Sequence, residues 1–411
     1  MSTWTTLRSF PLPIRLLVVN QFGVNVGFYL LLPYLAGHLA DDVGLSAAVI
    51  GIVLGVRNLS QQGLFLLGGS AADRLGARGV IIAGCALRAV GFGLFALSTS
   101  LPSLLAASIL SGLAGALFNP AVRSYVAQAA ADRRAEAFAL FNVFASAGAL
   151  LGPLLGAALL LVDFRAAALS AAAVFAALTV AQAVWLPAQP VTASEATVWH
   201  DWRTAVTDRR FLAFSTALAG MFTLQTQLYL ILPMQAEHVT GQPVAVAVLF
   251  VVSTVVTLTL QLPLTGWLHR RVSRGASITA GMAVMGAGFL LPLLRVDSAP
   301  PVLRLLPVLA AAVLLTVGVM ITQPFVLELI PAFAGQRLTG TYFGLFYLVS
   351  GVLAAGCTAA VGAAVGSSTG VPTTAWLLTA GVGLASAGAV WLLRRGGLLT
   401  PAAATAPVAV S

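Results

Sequence analysis

The chain has 411 residues, of which 59% are hydrophobic and 8% charged, with a mean hydropathy of +0.98. A soluble globular domain carries about 25% charged residues, so most of this protein's surface must face something apolar, and an ordinary water-soluble enzyme is excluded. The net charge of +9 comes from 21 arginines and no lysine, spread in short clusters between apolar runs, a distribution that fits membrane-face anchoring and not a nucleic-acid partner.

In chain order, twelve runs approach the roughly 20 apolar residues that a membrane-spanning helix needs. They are Ile14–Ala36, Ala47–Leu67, Val80–Leu97, Leu104–Ala127, Ala137–Val162 and Ala166–Leu186, then Phe211–Met234, Val244–Leu268, Ser277–Leu294, Leu305–Leu329, Gly340–Val365 and Ala375–Leu393. The third and ninth are short and are expected to borrow flanking residues. The longest polar stretch, from Pro187 to Arg210 between the sixth and seventh runs, holds Glu195, His200, Asp201, Arg203 and Asp208. The expected organisation is therefore an all-α integral membrane protein: a six-helix bundle over 1–187, a linker over 188–210, a second bundle over 211–393 and a tail over 394–411.

Internal repetition supports the division. Tyr29–His38 reads YLLLPYLAGH and Tyr229–His238 reads YLILPMQAEH, identical at six of ten positions. Asn119-Pro120-Ala121-Val122 is echoed by Gln323-Pro324-Phe325-Val326, and Arg74, Arg78 and Gly79 by Arg270, Arg274 and Gly275. Each echo lies six runs from its partner, as a duplicated six-helix transporter unit requires.

Arginine asymmetry sets the expected orientation. With the N-terminus cytoplasmic, fifteen loop arginines fall on that side, and only Arg165, Arg295 and Arg304 on the other. An even number of spans returns the C-terminus to the same side. No cleavable signal pattern is apparent. Cys85 and Cys357 each lie in an apolar run, and no metal or cofactor site is expected from them.

Polar groups inside the runs are the functional candidates, because charge at the bilayer centre is costly. Asn20, Gln21, Asn25 and Tyr29 punctuate the first run, and Phe222, Gln225 and Tyr229 the seventh; with Phe118 they are candidates to line an amphipathic cavity. Arg57 sits one turn from Gln61 and reads either as a structural pair or as a contact to an anionic substrate group or a coupling residue, and Arg123 and Asp73 are further coupling candidates. Arg88 reads as structural, and Arg123 as reaching for the cytoplasmic face. Glu328 is the one acidic residue within a run. It reads as a proton-linked coupling group or as an ion pair with Arg337 or another cytoplasmic arginine. His38 and His238 read as interfacial anchors.

Gly69-Ser70-Ala71-Ala72-Asp73-Arg74-Leu75-Gly76-Ala77-Arg78 falls between the second and third runs. It resembles the signature loop of the major facilitator superfamily, in which Gly69, Asp73, Arg74, Gly76 and Arg78 would form a conformational latch. Gly69 permits close helix approach, Gly76 a tight turn, and Asp73 can face a helix N-terminus. Gly148-Ala149-Leu150-Leu151-Gly152-Pro153-Leu154-Leu155-Gly156 is similar to the antiporter motif of the same superfamily. Its glycines form one smooth face, Pro153 kinks the span, and the resemblance implies export in exchange for protons.

Gly51 to Gly63 together with Ser111-Gly112-Leu113, Leu117-Phe118 and Pro120 resembles the MdtH-type multidrug exporters. Members of that drug/proton antiporter group often carry an acidic residue where this chain has Asn20-Gln21, and an arginine where Ser108 and Ser111 stand. The resemblance implies a monomeric inner-membrane transporter, with a small-molecule substrate and protons as its partners. The alternatives are a facilitator or proton symporter for a defined metabolite, or a non-transporting receptor or scaffold. Reporters fused to each tail are expected to place both termini in the cytoplasm; tails on opposite sides would overturn the twelve-span reading.

Overall fold

The computed structural model describes residues 3–97, 99–190, 196–242, 244–294, 300–335, 337–365 and 370–399. Glu195, Arg295, Asp297 and residues 400–411 of the expected tail lie outside the described residues. All regular structure among the described residues is helical. Eleven helices are long and apolar enough to cross a membrane, and twelve when one bent pair counts as a single span.

The spans are Leu12–Asp41, the pair Val49–Gly63 and Phe65–Leu75, Ala77–Leu97, Leu101–Ala129, Ala131–Leu160, Phe164–Trp185, Arg209–Thr240, Val244–Arg271, Arg274–Leu293, Leu303–Ala334, Thr339–Val365 and Thr373–Arg395. Their starts follow local chemistry. The side chains of Asp208 and Ser273 accept from the first free amides of the seventh and ninth spans, as N-caps do. Large apolar side chains remain exposed along the spans, among them Leu59, Leu154, Val184 and Leu306. In a lipid-embedded protein this outer surface needs no further cover.

Three elements differ from the sequence reading. The second span does not end at Leu67: it bends by 45° at Leu64 and stays helical to Leu75. Gly69, Asp73 and Arg74 therefore sit on a helix end and not in a loop, and the reversal is confined to Gly76, whose φ of 86° favours glycine. The seventh span is broken into Arg209–Ala217, Ala219–Gln227 and Ile231–Thr240. The second break falls at the start of the repeated YLILP segment, where Pro233 can offer no backbone N–H. The stretch read as a linker contains the helix Val198–Thr207, in which Asp201 and Ala205 are buried.

The chain divides into two compact units. One is drawn from Met1–Ala205 with Thr254–Thr265 and Gln336–Leu348. In it the first span packs on the fifth and sixth, the third on the fourth and sixth, and the second on the fourth. The other is drawn from Val206–Ser253, Gly266–Gly335 and Val349–Ser411. There the ninth span packs on the tenth and twelfth, the same neighbours six spans later that the third has in the first unit. Small residues set these approaches: a Cβ on Gly84 would lie 3.0 Å from that of Phe118, and one on Gly286 would lie 2.8 Å from the Leu384 nitrogen.

Candidate functional site

Asp73 projects from the end of the second span. Its carboxylate accepts from the Gly340 N–H, the Thr341 N–H and the Thr341 hydroxyl, each at 2.7 Å. Gly340 and Thr341 open the helix Thr339–Val365, so two amides that the helix cannot satisfy itself find an anion there. Close backbone approach makes this possible. A Cβ on Gly69 would collide with the Gly340 carbonyl, and one on Gly340 would lie 2.9 Å from Asp73 Oδ1.

Around this contact the linker helix closes a ring. Arg74 pairs with the buried Asp201 and donates to the Ala196 carbonyl at 2.6 Å. The Trp202 indole donates to Ser70 Oγ at 2.6 Å, and Ser70 Oγ lies 3.2 Å from Thr341 Oγ1. Arg78 donates to the Ala183 carbonyl at 2.6 Å. Sequence reasoning named Gly69, Asp73, Arg74, Gly76 and Arg78 but missed Ser70, Asp201, Trp202, Gly340 and Thr341. The one available signal was Thr339-Gly340-Thr341, small and polar at the start of an apolar run.

In the fifth span Gly148, Gly152 and Gly156 all face the first span. Added Cβ atoms would collide with the Phe22 carbonyl, lie 2.8 Å from Tyr29 Cβ, and collide with the Leu30 carbonyl. Tyr34 donates its hydroxyl to the Pro153 carbonyl at 2.7 Å, and Asn25 donates to the Ala145 carbonyl at 2.8 Å. The glycine face is thus occupied by the helix that carries Asn20, Gln21, Asn25 and Tyr29.

Those residues are unequally placed. Gln182 donates to Asn20 Oδ1 at 2.6 Å, and Gln21 donates to Asn25 Oδ1 at 3.0 Å. Asn20 and Gln21 are buried, whereas Asn25 and Tyr29 are half-buried. Phe118 is 0% exposed and lies beneath Arg88, so it packs the interior of the unit and lines no open space. In the second unit Gln225 and Phe222 are half-buried and Tyr229 is exposed beside Phe250. His38 is stacked on Phe164 and lies 2.7 Å from Asp42.

Three arginines lie within spans of the first unit. Arg123 does not extend outward; its guanidinium turns back to the Asn119 carbonyl at 3.0 Å and stands over Tyr347, where the ring face attracts the cation. Arg57 donates to Asn58 Oδ1 at 2.8 Å and Gln61 Oε1 at 3.0 Å, and Arg88 is ringed by Phe28, Phe118 and Phe175. Among the described residues neither pairs with a carboxylate. An arginine at the centre of a span costs about 2.5–3.5 kcal/mol on insertion scales, and each aromatic face returns about 0.5–2 kcal/mol. Glu328, in the second unit, takes Arg274 as its partner at 2.7 Å, with Oε2 buried and unbonded. Arg274 is another of the arginines that the sequence reading placed on the cytoplasmic side, and it meets Glu328 where Arg337 does not.

The model of the Major Facilitator Superfamily matches residues 17–355. The chain belongs to that superfamily. It is a multi-pass membrane transporter and not an enzyme. An uncharacterized MFS-type transporter of Mycobacterium tuberculosis is 42% identical over 86% of this chain and 85% of its own length. The multidrug resistance protein MdtH of Klebsiella pneumoniae is 31% identical over 91% of this chain and 92% of that protein. Among solved structures, the transporter FucP in its outward conformation aligns with a TM-score of 0.74 at 15% identity, covering 93% of this chain and 99% of that one. The human organic anion transporter MFSD10 aligns at 0.69 and 18% identity, over 94% and 98%. At those identities the structures establish the fold alone.

Replacing Asp73 with Asn removes the charge facing the Gly340 and Thr341 amides. Asp73→Asn is expected to lower unfolding stability in detergent by about 1–3 kcal/mol, read by thermal unfolding of the purified protein; an unchanged transition would show that these bonds contribute nothing net.

Proposed function

We propose that this transporter exports amphipathic small molecules from a bacterial cell across the inner membrane, by alternating access and in exchange for protons. The observation that carries the reading is the identity of 30–31% with MdtH multidrug resistance proteins over nine-tenths of the chain. The glycine face of the fifth span, closed on the first, supports it, since this is the segment similar to the antiporter motif. In the proposed cycle the two six-span halves, joined by the linker over 188–210, keep both termini cytoplasmic. The Asp73 contact to Gly340 and Thr341 holds one of the two states, and substrate shifts the balance by binding one state more tightly than the other.

Glu328 is the proposed proton-linked group. It is 6% exposed and holds Arg274 through one oxygen only, so protonation would release the arginine. Asp73 is the other carboxylate candidate, and its three donors at the start of the Thr339–Val365 helix assign it to the latch. A facilitator for a defined metabolite is the second reading, favoured by Asn20 and Gln21, neutral where many relatives of the drug/proton group are acidic.

Rhodamine 6G, neutral Nile red and anionic fluorescein, loaded separately into reconstituted vesicles, distinguish the two readings on whichever dye is moved. Export is expected to accelerate on the order of tenfold under an imposed pH gradient, equivalent to about 1.4 kcal/mol; equal rates with the gradient collapsed would favour the facilitator. Glu328→Gln is expected to retain counterflow and lose the response to the gradient. A fully gradient-driven Glu328→Gln protein would remove this residue from coupling.

A further inference from the structure

Arg57 and Arg88 are the buried charges of the first unit that neither the latch nor the glycine face uses. They are 9% and 5% exposed. Their guanidinium carbons stand over the same ring, that of Phe28, at 4.7 and 5.7 Å. Gln61, which Arg57 holds, meets Arg88 at Gly115, where an added Cβ would lie 2.9 Å from Gln61 Cδ and 3.2 Å from an Arg88 terminal nitrogen. The oxygens that Arg57 holds belong to neutral amides, and the Nε of each arginine is buried without a hydrogen-bond partner.

A structural arginine in a membrane usually rests on a carboxylate or on free carbonyls. Two cations placed together with neither form a site short of negative charge. The second span beside them is open on one side. A Cβ on Gly51 or Gly55 would meet nothing within 4 Å, and Asn58 and Gln62 are exposed further along the same face. Bare glycines and amides on the exposed side of a span suit a water-filled route better than acyl chains. Asn58 lies on that route and is bonded to Arg57.

We propose that Arg57 and Arg88 form the anion-recognition site of this transporter, and that its substrates are amphipathic organic anions: an apolar or aromatic body bearing a carboxylate, sulfonate or phosphate. The proposal rests on the export reading and adds the charge class. Arg57 exchanges its amide acceptors for the anion, which its planar fork binds with two parallel bonds. Arg88 supplies the second positive charge from behind Phe28, and Phe28 and Tyr29 offer ring faces to the body of the substrate. A cationic analogue of the same shape leaves both guanidiniums unpaired and adds repulsion, so the site selects by penalty as well as by attraction.

Fluorescein and rhodamine 6G share a xanthene body and differ in charge, and they provide the test. Binding to the purified full-length protein is measured by fluorescence polarisation, and transport in vesicles of phosphatidylcholine, which lack competing anionic lipid. Fluorescein is expected to bind and move at least about tenfold better than rhodamine 6G. Arg57→Gln and Arg88→Gln are expected to abolish that preference, while Arg57→Lys, which keeps the charge and loses the fork, retains part of it. Because a glutamine variant can fail by misfolding, each is compared only if its thermal unfolding transition in detergent matches that of the wild type, and Arg57→Lys carries the decision otherwise. Rhodamine 6G moved while fluorescein neither binds nor moves would overturn the anion site and leave export standing. Arginine-dependent fluorescein binding without transport of either dye would sink the export reading and leave the site. Binding of fluorescein equally by wild type and Arg57→Lys, with no preference over rhodamine 6G, would also overturn the proposal.

Discussion

Hydrocarbon offers no hydrogen bonds, so each polar group carried into it must find its partner inside the protein. That constraint orders the first unit. Asp73 finds the amides that begin another helix, Arg74 finds Asp201, and Arg123 finds a carbonyl and a ring face. Arg57 and Arg88 obey it least, and for that reason they are the most informative side chains in the unit.

Such partnerships require backbones to come close, and glycine is what permits it. Gly69 and Gly340 face one another where Asp73 reaches its amides, and Gly148, Gly152 and Gly156 lie along the first span. A methyl group at most of these positions would meet a carbonyl oxygen, which cannot rotate away as a side chain can. The electrostatic contact and the small-residue contact at Asp73 are therefore one device: the carboxylate reaches the helix end because nothing at position 69 or 340 holds the two backbones apart.

Much of this was legible along the chain. The signature around Asp73 announced a carboxylate facing a helix N-terminus, and the spaced glycines announced a close-packed face. Other features were hidden for identifiable reasons. Asp201 looked like one charge among several in a polar stretch, because a ten-residue helix with buried positions is not distinguishable from linker by charge alone. Glu328 had several cytoplasmic arginines within reach in sequence, and nothing local chose Arg274 over Arg337. Phe118 looked like a cavity wall because an aromatic residue in a span reads the same whether it faces ligand or packing.

By itself the sequence determined the membrane class, the number of spans and the placement of the small residues, because bilayer thickness and helix period act on neighbouring residues. Tertiary structure decided which charges meet. The Asp73 bond to Thr341 joins residues 268 apart, the Arg74 contact to Asp201 joins residues 127 apart, and Arg274 reaches Glu328 across 54. Only packing selects a partner over such distances, because the helices brought side by side determine which charge a desolvated group can reach.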